Sequence, residues 1–224
     1  MNKKSLIIGS IVIILVLIGG FFYLTRPASA PTEIPEAVVS ETKPVLEGER
    51  TYRIGEGSKA EFRIDEILRD KPFTAVGTTS DVTGDIILFD STLGFSMIKV
   101  NARTFKTDDE RRDGAIARMI LKSEKPENEW ITFKTTSVSG APSSASMNTD
   151  IPFSMTGDLT ISGVTKSITF STVMKITDAA ITGTAMATLK RSDFNLVIPS
   201  IPFVASVDDS FPISITIVAP VVAK

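Results

Sequence analysis

The chain has no cysteine and no histidine, and only one tryptophan and two tyrosines, in 224 residues. Without cysteine there is no disulfide, no thiolate nucleophile and no lipidated thiol. Without histidine there is no imidazole base, no Ser-His-Asp triad and no zinc site of the usual His/Cys kind. Any catalysis would rest on carboxylates, lysine, tyrosine or hydroxyls, so composition disfavours an ordinary enzyme. The net charge is −2, from 24 basic and 26 acidic side chains. No global basic field attracts nucleic acid.

What is present is distributed unevenly. Residues 1–5 form a short tip carrying Lys3 and Lys4, and residues 6–24 contain no charge. As a helix that stretch of roughly 19 residues is about 28 Å long, close to the hydrocarbon thickness of a bilayer. Phe21, Phe22 and Tyr23 fall where an interfacial belt would lie, with Arg26 beyond them. The lysines and terminal amine predict a cytoplasmic N-terminus and an exported remainder. An uncleaved single-pass anchor is one reading. The other is a signal peptide cut after Ala28-Ser29-Ala30, which the length of the apolar run and Pro31 disfavour. Residues 25–50 carry Pro27, Pro31, Pro35 and Pro44 among glutamates and no aromatic residue, the composition of a solvated tether.

From Thr51 to Val221 the texture is one of period-two alternation, as in Ala60/Phe62/Ile64 against Glu61/Arg63/Asp65 and in Phe153/Met155/Gly157/Leu159/Ile161. Turn signals such as Ser139-Gly140, Ser162-Gly163 and Thr177-Asp178 separate the runs. The expectation is about eight antiparallel strands in an up-and-down barrel closed on itself. One segment differs: Asp108 to Leu121 predicts an inserted helix with Arg112, Ile116, Met119 and Ile120 on one stripe and Thr107 as N-cap.

Four blocks in order carry a family resemblance. They are Tyr52-Arg53-Ile54 leading to Ser58-Lys59-Ala60-Glu61-Phe62; Arg111-Arg112-Asp113 followed by Trp130-Ile131-Thr132-Phe133; Gly157-Asp158-Leu159-Thr160-Ile161-Ser162-Gly163-Val164-Thr165-Lys166; and Lys190-Arg191-Ser192-Asp193-Phe194 with the strand ending at Ile217. Together they resemble the YceI-like, lipocalin-type polyisoprenoid-binding proteins of bacteria. Where that family often has histidine near its first long strand, this chain has Gly57 and Glu66. The resemblance implies a lipocalin-like, extracytoplasmic barrel at the bacterial cell membrane that carries a long-chain isoprenoid lipid, with no cofactor or metal. Homodimerisation is left open.

The candidate ligand-binding residues are the flexible or planar side chains on the expected inner faces: Phe62, Phe133, Phe153, Met155, Phe170, Met174, Met186, Phe194 and Phe211. The competing reading is that these residues fill the barrel and that the domain is an envelope interaction module. Arg111, Arg112 and Asp113 read either as phosphate ligands or, preferably, as a helix start held by local ion pairs. Asp208-Asp209 and Asp108-Asp109-Glu110 lack the spacing of an EF-hand loop. Gly157 to Lys166 reads as a hairpin.

Overall fold

The computed structural model describes residues 48–90, 92–141, 147–199 and 204–223. The expected tip, apolar segment and most of the tether lie outside the described residues. Among those described, no helix is long and apolar enough to cross a membrane.

The described residues form twelve strands: β1 Arg50–Ile54, β2 Lys59–Leu68, β3 Lys71–Thr79, β4 Val82–Phe89, β5 Thr92–Phe95, β6 Ile98–Asn101, β7 Trp130–Ser139, β8 Asp150–Ile161, β9 Val164–Ile176, β10 Ala180–Lys190, β11 Val204–Val207 and β12 Ser210–Pro220. Every ladder between them is antiparallel. The alternation of the sequence becomes two faces. On β8, Ile151, Phe153, Met155, Leu159 and Ile161 are buried, while Pro152 and Asp158 face water.

Two expectations about the sheet are corrected. Its ladders follow the order β1-β4-β6-β7-β8-β9-β10-β12-β2-β11, with β3 on β2 and β5 on β4, so the topology is not simply up-and-down. Nor is the sheet closed, because β2 occupies β12 over Ile213 to Thr216. That leaves β1 beside the far end of β12, joined there by the bridge Tyr52↔Val221 just past the strand and by the bonds from Val222 N to Thr51 O and from Gly55 N to Val218 O. The corner between β1 and β2 is tied there by Ser58, which is fully buried. Its Oγ donates to Val218 O at 3.1 Å and accepts from Val218 N at 2.9 Å.

The inserted helix is shorter than expected and differently capped. α1 spans Glu110–Ala115 and continues as a π-helical turn, Ile116–Ile120. Asp109 is its N-cap, accepting from Arg111 N at 2.8 Å. Thr107 is instead engaged by the buried Asp113, whose Oδ1 accepts from both Thr107 N and Thr107 Oγ1 at 2.7 Å. The wider turn closes with Leu121 N donating to Ile116 O at 2.8 Å, and it buries Ile116, Ala117 and Leu121. The segment lies across one end of the sheet. It is fixed to β2 through Arg112 and Glu66 and to the β8–β9 turn by Ser162 Oγ, which donates to Leu121 O at 2.6 Å. The two ends of the insertion are joined by the buried pair Arg103–Glu129 at 3.2 Å.

Candidate functional site

Eight of the nine candidate residues are on the inner side of the sheet or packed into its end, and seven are buried. Phe133 is 3% exposed, Phe153 6%, Met155 2%, Phe170 2%, Met174 0%, Phe194 1% and Phe211 8%. Phe133 and Phe170 meet edge to face with centroids 5.0 Å apart. Phe62 is partly buried and meets the Phe105 ring at a tilt, with centroids 5.5 Å apart. Met186 is the exception, at 57% exposed. On β10 the inward positions are Ile181, Ala185 and Leu189, so the pleat turns Met186 to the outer surface. It is removed from the inner-face set. There it borders a shallow groove of about 480 Å³ with Pro152 and Val173, open to solvent.

The inner surface is segregated by size. The wall made by β7, β8 and β9 carries Phe133, Phe153, Met155, Leu159, Phe170 and Met174, all buried. The wall made by β3, β2, β12 and β10 presents smaller groups: Ala75 and Gly77, Ala60, Ala219, and Ala185 with Ala187. Between these, Phe62 and Ile64 on β2, Ile213 and Ile215 on β12, and Ala187 on β10 face inward yet are only partly buried. The register pairs Phe62 with Ile213 and Ala187 with Ile213, making one continuous patch. These inward-facing side chains pack against the core and can still be reached by water. The sequence expectation selected large residues, which fill the opposite wall, and missed Ile64, Ala187, Ile213 and Ile215. The signal that would have found them is the run of small inward residues on neighbouring strands.

Two glycines keep the rings flat against the sheet. Phe62 is paired in register with Gly77, and a methyl group on Gly77 would overlap the Phe62 ring. A methyl group on Gly157 would lie 2.6 Å from Phe133 Cζ.

The apolar inner face of β2 runs Ala60, Phe62, Ile64 and then ends at Glu66, whose side chain is 8% exposed. Arg112 of α1 donates from Nη2 to Glu66 Oε1 at 3.1 Å and from Nη1 to Asp108, with its guanidinium 5.0 Å over the Phe73 ring. Arg111 is turned outward onto Asp109, 3.1 Å away, and that contact holds the Asp109 carboxyl below its usual range. The Arg111-Arg112-Asp113 block is thus a helix start held by local ion pairs. Asp209 accepts from Ser192 N and Oγ at 2.9 and 2.7 Å, while Arg191 binds three backbone carbonyls, seating Phe194 beneath a short 3₁₀ turn. Among the described residues no group of three or more carboxylates is gathered as a metal ligand set.

The arrangement has solved counterparts. Burkholderia cenocepacia BcnA matches with TM-score 0.55 and 20% identity, over 72% of this chain and 96% of its own. A polyisoprenoid-binding domain from Saccharophagus degradans matches with TM-score 0.58 and 9% identity, over 76% and 97%. A Campylobacter jejuni YceI protein matches with TM-score 0.51 and 20% identity, over 64% and 83%. These likenesses concern the fold. None of the curated proteins matches this sequence. The YceI-like domain model matches residues 52–219, spanning β1 to β12 and the inserted helix, and the chain belongs to the YceI-like domain family.

Proposed function

We propose that the domain holds a long-chain isoprenoid lipid along the partly filled wall formed by β2, β12 and β10, as a carrier or buffer and with no bond-making step. The observation that carries this reading is the patch of inward-facing but accessible residues, Phe62, Ile64, Ala187, Ile213 and Ile215, set against a wall where Phe133, Phe153, Met155, Leu159, Phe170 and Met174 are buried. Phe133, Phe153, Met155, Phe170 and Met174 form the backing of that space, and flexible or planar groups suit an irregular apolar chain. Membership of the YceI-like family and the polyisoprenoid-binding relative from Saccharophagus degradans support the same ligand class.

Residues 6–24 would tether the domain to the bacterial cell membrane with the N-terminus in the cytoplasm and the sheet outside. Each buried methylene contributes about 0.8 kcal/mol, and a bilayer offers nearly the same to the free lipid. The protein therefore competes with the membrane, and a tether beside it favours exchange. Ala187→Phe, which puts a ring into the open patch, tests the reading. Excluding about two methylenes loses roughly 1.6 kcal/mol, so lipid taken up from vesicles should fall about tenfold or more while the thermal midpoint stays near wild type. Unchanged uptake would place the lipid elsewhere.

A filled-barrel interaction module is the second reading. It is favoured by the exposed apolar residues Val173 and Met186 on the outer face at 44% and 57%.

A further inference from the structure

We infer that Glu66, Arg112 and Asp108 select a neutral lipid head that carries an O–H or N–H donor, and exclude an anionic one. The inference rests on the proposed lipid path and adds the chemistry of its polar end. Side chains two residues apart on a strand share a face and lie about 7 Å from each other along it. Ala60, Phe62, Ile64 and Glu66 therefore form one row, apolar up to Ile64 and ending at a carboxylate that is 8% exposed. A lipid lying along Phe62 and Ile64 brings its head to Glu66.

The charge at that point is fixed by three side chains. Arg112 supplies one positive charge and already serves two carboxylates, Glu66 at 3.1 Å and Asp108. The triad is net negative. The Arg112 side chain is 20% exposed and its guanidinium also rests on Phe73, so its position is set from several sides. A phosphate at Arg112 would have to share it with Glu66 and Asp108, and like charges in a partly desolvated site repel strongly.

A hydroxyl or amide donor meets the opposite situation. Among the described residues, the Arg112 contact is made to Glu66 Oε1 and none is made to Oε2. A carboxylate is an acceptor only, so Oε2 suits a donor, and a hydrogen bond to a charged acceptor is among the stronger ones. A head with acceptors alone, such as a quinone ring, finds no complement there.

The test uses the full chain in detergent micelles, titrated near neutral pH with a polyprenol and with the polyprenyl monophosphate of equal chain length. Wild type should bind the alcohol at least tenfold more tightly. Asp108→Asn removes the exposed carboxylate, which is 61% exposed, and should raise phosphate affinity severalfold with the alcohol unchanged. Glu66→Gln should raise phosphate affinity further and weaken the alcohol. Because Glu66 also ties β2 to α1, its loss of folding is monitored by circular dichroism, and Asp108→Asn decides the matter if Glu66→Gln unfolds. Equal binding of both lipids, tighter binding of the phosphate, or a preference that Asp108→Asn leaves unchanged overturns the head-group inference and leaves the lipid reading intact. Binding of neither lipid by wild type overturns both.

Discussion

Asp81, in the turn between β3 and β4, shows how a single carboxylate couples the sheet to pH. Burial raises its pKa above the ordinary 3.8, and the nearby Glu129 carboxylate adds to the rise against an opposing contribution from Asn101. Its Oδ1 and the Nδ2 of the fully buried Asn101 have no hydrogen-bond partner among the described residues. A carboxyl whose folded pKa exceeds its unfolded value holds more protons when folded. Stability is then lost as pH rises from the unfolded pKa through the folded one. Asp81→Asn, similar in shape and uncharged, should gain on wild type in urea midpoint as the pH rises above about 4. A difference independent of pH would contradict this assignment. Residue by residue, inward placement was legible where a strand alternates strictly, as for Phe153 and Met155. It failed at Met186 because Ala185, Met186 and Ala187 are all apolar, and alternation cannot tell which of them turns inward.

The elements were legible in proportion to their turn chemistry and to the size of their inward residues. Ser162-Gly163 gave the β8–β9 hairpin, and both residues have positive φ, as a two-residue type I′ loop requires. Strand β3 was not foreseen, because its inward residues are Ala75, Gly77 and Thr79, too small to leave a hydrophobic alternation. Its entry turn is also silent in sequence. Arg69 and Asp70 occupy the left-handed region at φ 52° and 60° with no glycine to mark it. Holding a non-glycine residue there costs about 1 kcal/mol, so Asp70→Gly should stabilise the domain by roughly 0.5–1 kcal/mol, read as an increase in urea midpoint without a change in slope. A loss of stability would show that the Asp70 side chain contributes more than the turn strain removes. The helix was legible in its existence and its acidic start. Its cap was not, because Thr107 and Asp109 both have cap chemistry and only the buried Asp113 decides which is free to act.

At the scale of the molecule, strand order and incomplete closure follow from which strands reach β12 first, and local sequence carries no such information. The four blocks that mark the family do carry the architecture as a whole, and apart from Phe62, Arg112 and Phe133 they map onto ties rather than onto the lipid path. The Arg191 to Phe194 block seats the 3₁₀ turn, and Gly157 makes room for Phe133. The division of the interior into a packed wall of large side chains and an accessible wall of small ones is what makes a binding role physically reasonable. It was missed because it depends on which strands become neighbours. The most direct test of that role is native mass spectrometry with solvent extraction on the full chain purified from bacterial membranes in mild detergent. The account predicts a stoichiometric isoprenoid that remains with the protein after detergent release and is depleted in Ala187→Phe. A mass matching the bare chain, unchanged after incubation with polyprenol in micelles, would contradict it and favour a domain whose interior is filled by its own side chains.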